Sequence, residues 1–175
     1  GRARRGQRVD ADRLQRGARL VADLPVWQPA PVPADEQACL HVPLHLQRAG
    51  VRQLAALIAL HSHYDHALDA PKVALLTGAT LVGSSSTLNI GLGGGLTPAQ
   101  MRRIEGGEQL RFGDFEIEVI RSRHFPHPLA QGEITEPLQA PARADAYREG
   151  GSFDLLVRHR GRSLLIVGSA GFVEG

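Results

Sequence analysis

Apolar residues recur along this chain at two spacings, three-to-four and two, and the places where the spacing changes mark the expected elements. Over residues 10–24, Leu14, Ala18, Val21 and Leu24 fall on one face at helical spacing, weakened by Gly17. Prolines at 25, 29, 31 and 33 deny the backbone a regular ladder, so an extended connector is expected there. A second helix is expected within residues 34–49, broken or started near Pro43. The run over residues 54–60 is apolar throughout, and too short for its period to separate strand from helix. Further on, Asp69 as N-cap, Pro71 in the first turn and Gly78 as terminating glycine delimit a helix of about two turns. Residues 79–83 then return as a strand.

The second half is dominated by the two-residue period. Residues 84–96 are small, with Gly91, Gly93, Gly94 and Gly95, and read as a mobile loop whose amides could cradle an anion, although no nucleotide-binding spacing is present. Thr97-Pro98-Ala99-Gln100 is a capping box that should start a helix through about Ile104, ended by Gly106-Gly107. Residues 108–112 and 115–120 alternate around Gly113-Asp114, which predicts an antiparallel hairpin leading to Ser122-Arg123-His124. Residues 131–151 carry prolines and charges without a period, and read as an irregular insertion in which Arg143, Tyr147 or Arg148 could meet a substrate. Residues 153–159 and 163–167, joined by Arg160-Gly161-Arg162, predict a second hairpin with His159 in solvent.

Composition narrows the class. With 175 residues, 42% hydrophobic and 22% charged, the chain has the balance of a globular protein. No run approaches the roughly 18 apolar residues of a membrane-spanning helix. Cys39 is the single cysteine, so no internal disulfide can form, and a reducing cytosol is the compartment toward which this leans. The net charge of +2 hides a local cluster, Arg2, Arg4, Arg5, Arg8, Arg13, Arg16 and Arg19. Such a cluster can contact phosphate or a membrane surface, but more commonly forms a solvated face, and no nucleic-acid partner is expected from it.

The candidate chemistry lies at His61-Ser62-His63-Tyr64-Asp65-His66, directly after the apolar run. Alternate side chains leaving a strand end point the same way, so His61 and His63 can close on one cation, while a turn into helix would carry Asp65 and His66 toward a second. A solvated surface turn rich in His and Asp is the bland alternative, but three His and one Asp at this spacing behind an apolar run are hard to reach by chance. His41 and His45 also share a helical spacing, yet have no third ligand near them in sequence and are expected to be packing or surface residues.

This HxHxDH stretch after an apolar strand resembles the metallo-β-lactamase superfamily. The Tyr64 form, followed by Ala67-Leu68-Asp69-Ala70-Pro71, is most similar to the branch of hydrolases around ascorbate-phosphate lactonases and N-acyl-phosphatidylethanolamine phospholipases D. The resemblance runs from about residue 54 to residue 171. It implies an α/β fold, part of an αββα sandwich with mixed sheets, in which residues 54–60 are a strand. Residues 1–53 are then a helical segment and Pro-rich linker, and residues 54–175 the metallo-β-lactamase-like domain. Compared with the family, both ends of the chain look cut.

The resemblance further implies a first metal held by His61, His63 and His124, with His127 as the alternative third ligand. A coordinated water, acidified from about 15.7 toward 7, is the implied nucleophile. Asp65 would orient it, shuttle a proton or ligate a second cation with His66. Zinc is the implied cofactor, one ion or two, with iron or manganese as substitutes. The implied reaction is hydrolysis of an ester, lactone or phosphodiester in a small-molecule substrate; the alternatives are a phosphodiesterase on lipid or nucleic acid, or a non-catalytic metal-binding remnant. One departure stands out. Ser169 of Gly168-Ser169-Ala170 occupies the place where the family usually has a metal-bridging Asp, and a hydroxyl is a much poorer ligand than a carboxylate. Asp154 is expected to be a poor substitute, at the far end of the hairpin.

Overall fold

The computed structural model describes residues 42–126 and 130–169. The expected helix over residues 10–24, the proline connector, the basic cluster, Cys39, His41 and His127 lie outside them. Of the second expected helix, α1 (Val42–Arg48) is described, with Pro43 inside it; residues 34–41 lie outside the described residues. There follow β1 (Ala56–Ile58), α2 (Tyr64–Ala67), α3 (Ala70–Thr77), β2 (Thr80–Gly83), α4 (Ser85–Gly93), β3 (Met101–Arg103), β4 (Gln109–Phe112), β5 (Phe115–Ser122), β6 (Ser152–His159) and β7 (Arg162–Val167).

The strands form two sheets. β1, β2 and β3 run parallel in that order, with Leu57 beside Leu81 and Leu81 beside Met101. β4 to β7 form an antiparallel meander. Side-chain alternation in the parallel sheet sorts its residues between two cores. Ile58 and Val82 face the antiparallel sheet, packing with Leu110, Ile117, Val119, Phe153 and Leu155. Leu57, Leu81 and Met101 face the other way, onto Ala70 and Ala74 of α3. Helix, parallel sheet and antiparallel sheet are therefore three successive layers, the mixed α/β arrangement expected.

Local signals explain most boundaries. α3 begins after Asp69 and ends at Gly78, whose φ of 71° is the left-handed conformation that terminates helices, although the Asp69 side chain makes no capping bond. The β6–β7 turn is tighter than expected. Arg162 pairs with His159, so only Arg160 and Gly161 connect the strands, both at positive φ as a two-residue hairpin loop of this twist requires.

Three expectations are overturned. Residues 84–96 are largely helical rather than a mobile loop: Ser84 caps α4 by accepting from the Thr87 N–H at 3.3 Å. The glycines there mark close packing, since a Cβ on Gly91 would overlap Met101 and Leu81, one on Gly93 the backbone of Leu138, and one on Gly94 the ring of Pro71. The capping box at Thr97 and Gln100 forms, but launches only a single 3-10 turn, because Met101–Arg103 gains more by pairing with β2 than by continuing a helix. His159 is not in open solvent; it is partly buried, stacked on Phe115 with ring centroids 4.2 Å apart.

Candidate metal centre

β1 delivers the histidine motif to the seam between the sheets. The Ala59 N–H still bonds to Val82 of the parallel sheet, while the Leu60 carbonyl accepts from Phe153 of the antiparallel one. His61 follows immediately and is buried, with 1% of its surface exposed. His63 is extended (φ −62°, ψ 156°) and its carbonyl accepts from the His66 and Ala67 N–H groups, so α2 begins at once. The helical turn brings Asp65 and His66 round beside His61. β5 ends at Ser122, and His124, two residues on, reaches the same place from the antiparallel sheet.

Two clusters result. The ligand atoms of His61, His63 and His124 all lie within 4.8 Å of one another, and so do those of His61, Asp65 and His66. The ring centroids of His61, His63 and His124 are each 4.8 Å apart, and His61 and His66 are 3.9 Å apart. Imidazole nitrogens bound at about 2.0–2.1 Å to a tetrahedral ion sit roughly 3.4 Å apart, so small side-chain rotations suffice to close on one. The first three rings fit a divalent metal site. The five residues singled out in the sequence are thus brought together, with His61 common to both groups.

The electrostatics suit neutral, ligating imidazoles. His61 is pushed down from an ordinary 6.5 to about 3, first by burial and then by the neighbouring His66, His63 and His124 rings. His63 is lowered as well, chiefly by burial, with the Ala130 carbonyl opposing. The buried Nδ1 of His61 has no hydrogen-bond partner among the described residues, a costly condition that a cation drawing on this ring would offset. Asp65 Oδ2 lies 3.7 Å from His66 Nε2, and both side chains are accessible. A groove of about 340 Å³ opens beside this second cluster, lined by Leu57, Tyr64, Asp65, His66, Leu68 and Val73.

Other expected participants fall elsewhere. Tyr147 is turned into the core against Ala67, Ile90 and Ile134, 1% exposed, and cannot meet a substrate, because the insertion folds back under the motif rather than over it. Arg143 is paired with Asp145 at 3.0 Å in solvent, and Arg148 donates to the Gln131 carbonyl. The Ser169 carbonyl accepts from the Phe125 N–H at 2.9 Å, which places its backbone next to His124. Asp154 is closer to this end than expected: it pairs with Val167, and its carboxylate accepts from Gly168, but it belongs to neither cluster. Sequence reasoning missed Ser62, Ala130 and Glu149, which bond around His63. The one available signal was strand alternation, which aims Ser62 away from the metal side and into the protein.

A cluster of imidazoles and a carboxylate at the seam of two sheets gives this α/β protein a group of side chains that fits a metal site. The family model described as the metallo-beta-lactamase superfamily matches residues 27–138, and the chain belongs to that superfamily, most of whose members are metal-dependent hydrolases. Among solved structures, Igni18, a metallo hydrolase from the hyperthermophilic archaeon Ignicoccus hospitalis, is 16% identical over 69% of this chain and 44% of its own, with a TM-score of 0.45. A HARLDQ motif mutant of a Cronobacter sakazakii metallo-beta-lactamase is 14% identical over 73% of this chain and 46% of its own, with a TM-score of 0.46. MEM-A1, a subclass B3 metallo-beta-lactamase from a soil metagenome library, is 19% identical over 70% and 44%, with a TM-score of 0.40. The chain spans less than half the length of each. No curated protein matches.

Proposed function

We propose that this protein is a metal-dependent hydrolase opening an ester, lactone or phosphodiester bond in a small-molecule substrate. His61, His63 and His124 hold one divalent cation, zinc in the first instance, with Asp65 and His66 beside it. The observation that carries the reading is the convergence of three imidazoles from segments about 60 residues apart in the chain, whose nitrogens lie within 4.8 Å. When bound, the cation supplies Lewis acidity, polarising the scissile group and making water acidic enough to react near neutral pH.

The chain's own residues do the rest. Burial keeps His61 unprotonated, so its lone pair remains available well below neutral pH. Asp65, an accessible carboxylate at the mouth of the groove, accepts a proton from the attacking water and returns it to the leaving group. Leu57, Leu68 and Val73 give the groove an apolar wall against which a substrate's hydrocarbon part can rest. With Ser169 at a position where a carboxylate would bind far better, the second cation is held more weakly than the first.

The test is metal content together with turnover of the intact chain on an aryl ester, a lactone and bis(p-nitrophenyl) phosphate. The reading expects bound metal and turnover of at least one, with His63→Ala losing both. Metal retained without turnover on any of the three would instead leave a metal-binding module without catalysis.

A further inference from the structure

Ser62 takes no part in this scheme, yet it is completely buried between two of the candidate ligands. Its N–H donates to the Glu149 carbonyl at 2.9 Å, and its hydroxyl lies 2.6 Å from the Arg148 carbonyl and 2.8 Å from that of Glu149. The circuit then returns to the next residue of the motif. The Glu149 N–H donates to the Ala130 carbonyl at 2.9 Å, and His63 Nε2 lies 3.2 Å from that same oxygen. A carbonyl can only accept, so Nε2 carries the proton, and the neutral ring then has its lone pair on Nδ1.

Several features hold this circuit in place. Ala130 has a φ of 54°, a conformation that residues other than glycine rarely adopt. Gly150 presses so closely on Ser62 and Ser86 that a Cβ there would overlap both side chains. Ser86 is itself buried and accepts from the Ile134 N–H at 2.8 Å, while the Gly150 N–H donates to the Gly132 carbonyl at 2.9 Å. Residues 130–134 and 148–150 are thus latched to the histidine motif and to α4 by two serines.

We propose that Ser62 is a positioning residue: by tying residues 148–150 to the motif it sets the Ala130 carbonyl against His63, fixing the Nε2–H tautomer and leaving Nδ1 as the metal-donor atom. The consequence for metal binding rests on the functional reading above; the tautomer does not. Backbone hydrogen bonds to the far nitrogen of a ligating imidazole fix its orientation and typically contribute 10- to 100-fold in metal affinity.

The experiment is long-range 1H–15N NMR of the histidine rings in the whole chain, metal-free at pH 7.5, followed by metal competition against a chromophoric chelator. In the unmodified protein His63 is expected as the Nε2–H tautomer. Ser62→Ala is expected to give a mixture of His63 tautomers and to weaken metal binding by about 10-fold. A His63 Nδ1–H tautomer in the unmodified protein overturns the proposal, as does a folded Ser62→Ala protein with unchanged tautomer and affinity. If Ser62→Ala does not fold, Ser62→Cys, which keeps the side chain's size but weakens its hydrogen bond, is put through the same two measurements, and an unchanged tautomer and affinity there overturn the proposal equally. Absence of turnover together with the expected tautomer counts against the hydrolase reading alone.

Discussion

Acid should unfold the metal-free protein through His61. In the unfolded chain this ring has its ordinary value of 6.5, whereas the folded state holds it at about 3. Between those values the unfolded state binds the extra proton, so stability rises with pH and is lost as pH falls. From pH 7.5 to pH 5 the loss amounts to about 1.5 pH units of linkage, or roughly 2 kcal/mol, and reaches about 4 kcal/mol near pH 3. His63, lowered for the same leading reason, adds a loss of the same sign. Urea unfolding followed by circular dichroism, with chelator present throughout, measures this in the unmodified chain and in His61→Asn. Carboxylates and the remaining histidines titrate in both, so the difference between the two proteins isolates the ring and its repulsions. The stability of the unmodified chain relative to His61→Asn should drop by about 2 kcal/mol from pH 7.5 to 5. A difference that stays constant within extrapolation error would refute the argument that burial keeps this imidazole neutral.

Other expectations concern the scaffold. Phe153, 1% exposed in the inter-sheet core with the Arg121 guanidinium 5.6 Å from its ring centre, should cost about 3–5 kcal/mol as Phe153→Ala in urea unfolding. Gly78→Ala meets nothing within 4 Å and should lose only the left-handed preference, about 1 kcal/mol, whereas Gly93→Ala runs into the Leu138 backbone and should lose more. Equal losses in the same unfolding assay would contradict the packing explanation for the glycines of α4. On β7, the outermost described strand of its sheet, Leu164, Leu165, Ile166 and Val167 are all exposed, so Leu165→Lys should change stability by less than about 0.5 kcal/mol in urea unfolding, and a loss of several kcal/mol would contradict that exposure.

What could be read from the sequence was what neighbours in the chain decide. The histidine motif, the α3 boundaries at Asp69 and Gly78, and the hairpin at Gly113-Asp114 all depend on residues a few places apart, and each appears where expected. The failures share a different cause. Glycines 91, 93 and 94 look like a loop until Met101, Leu138 and Pro71 are seen against them. The capping box at Thr97 is sound locally, and loses to strand pairing with β2 some twenty residues earlier. Tyr147 seemed available to a substrate only because nothing in its own segment reveals Ala67 and Ile90 as its neighbours. Ser62 is the sharpest case. Its partners are 86 and 87 residues away, and its side chain carries no motif of its own.

His61 belongs to both ligand clusters, and that sharing limits stoichiometry. A neutral imidazole offers a single lone pair, so the ring can coordinate one ion at a time. If it serves the ion held with His63 and His124, the neighbouring position keeps, among the described residues, only Asp65 and His66. Metal titration of the protein should then show one tight equivalent followed by a shallow second phase, two ions competing for one ring rather than filling two ready-made seats.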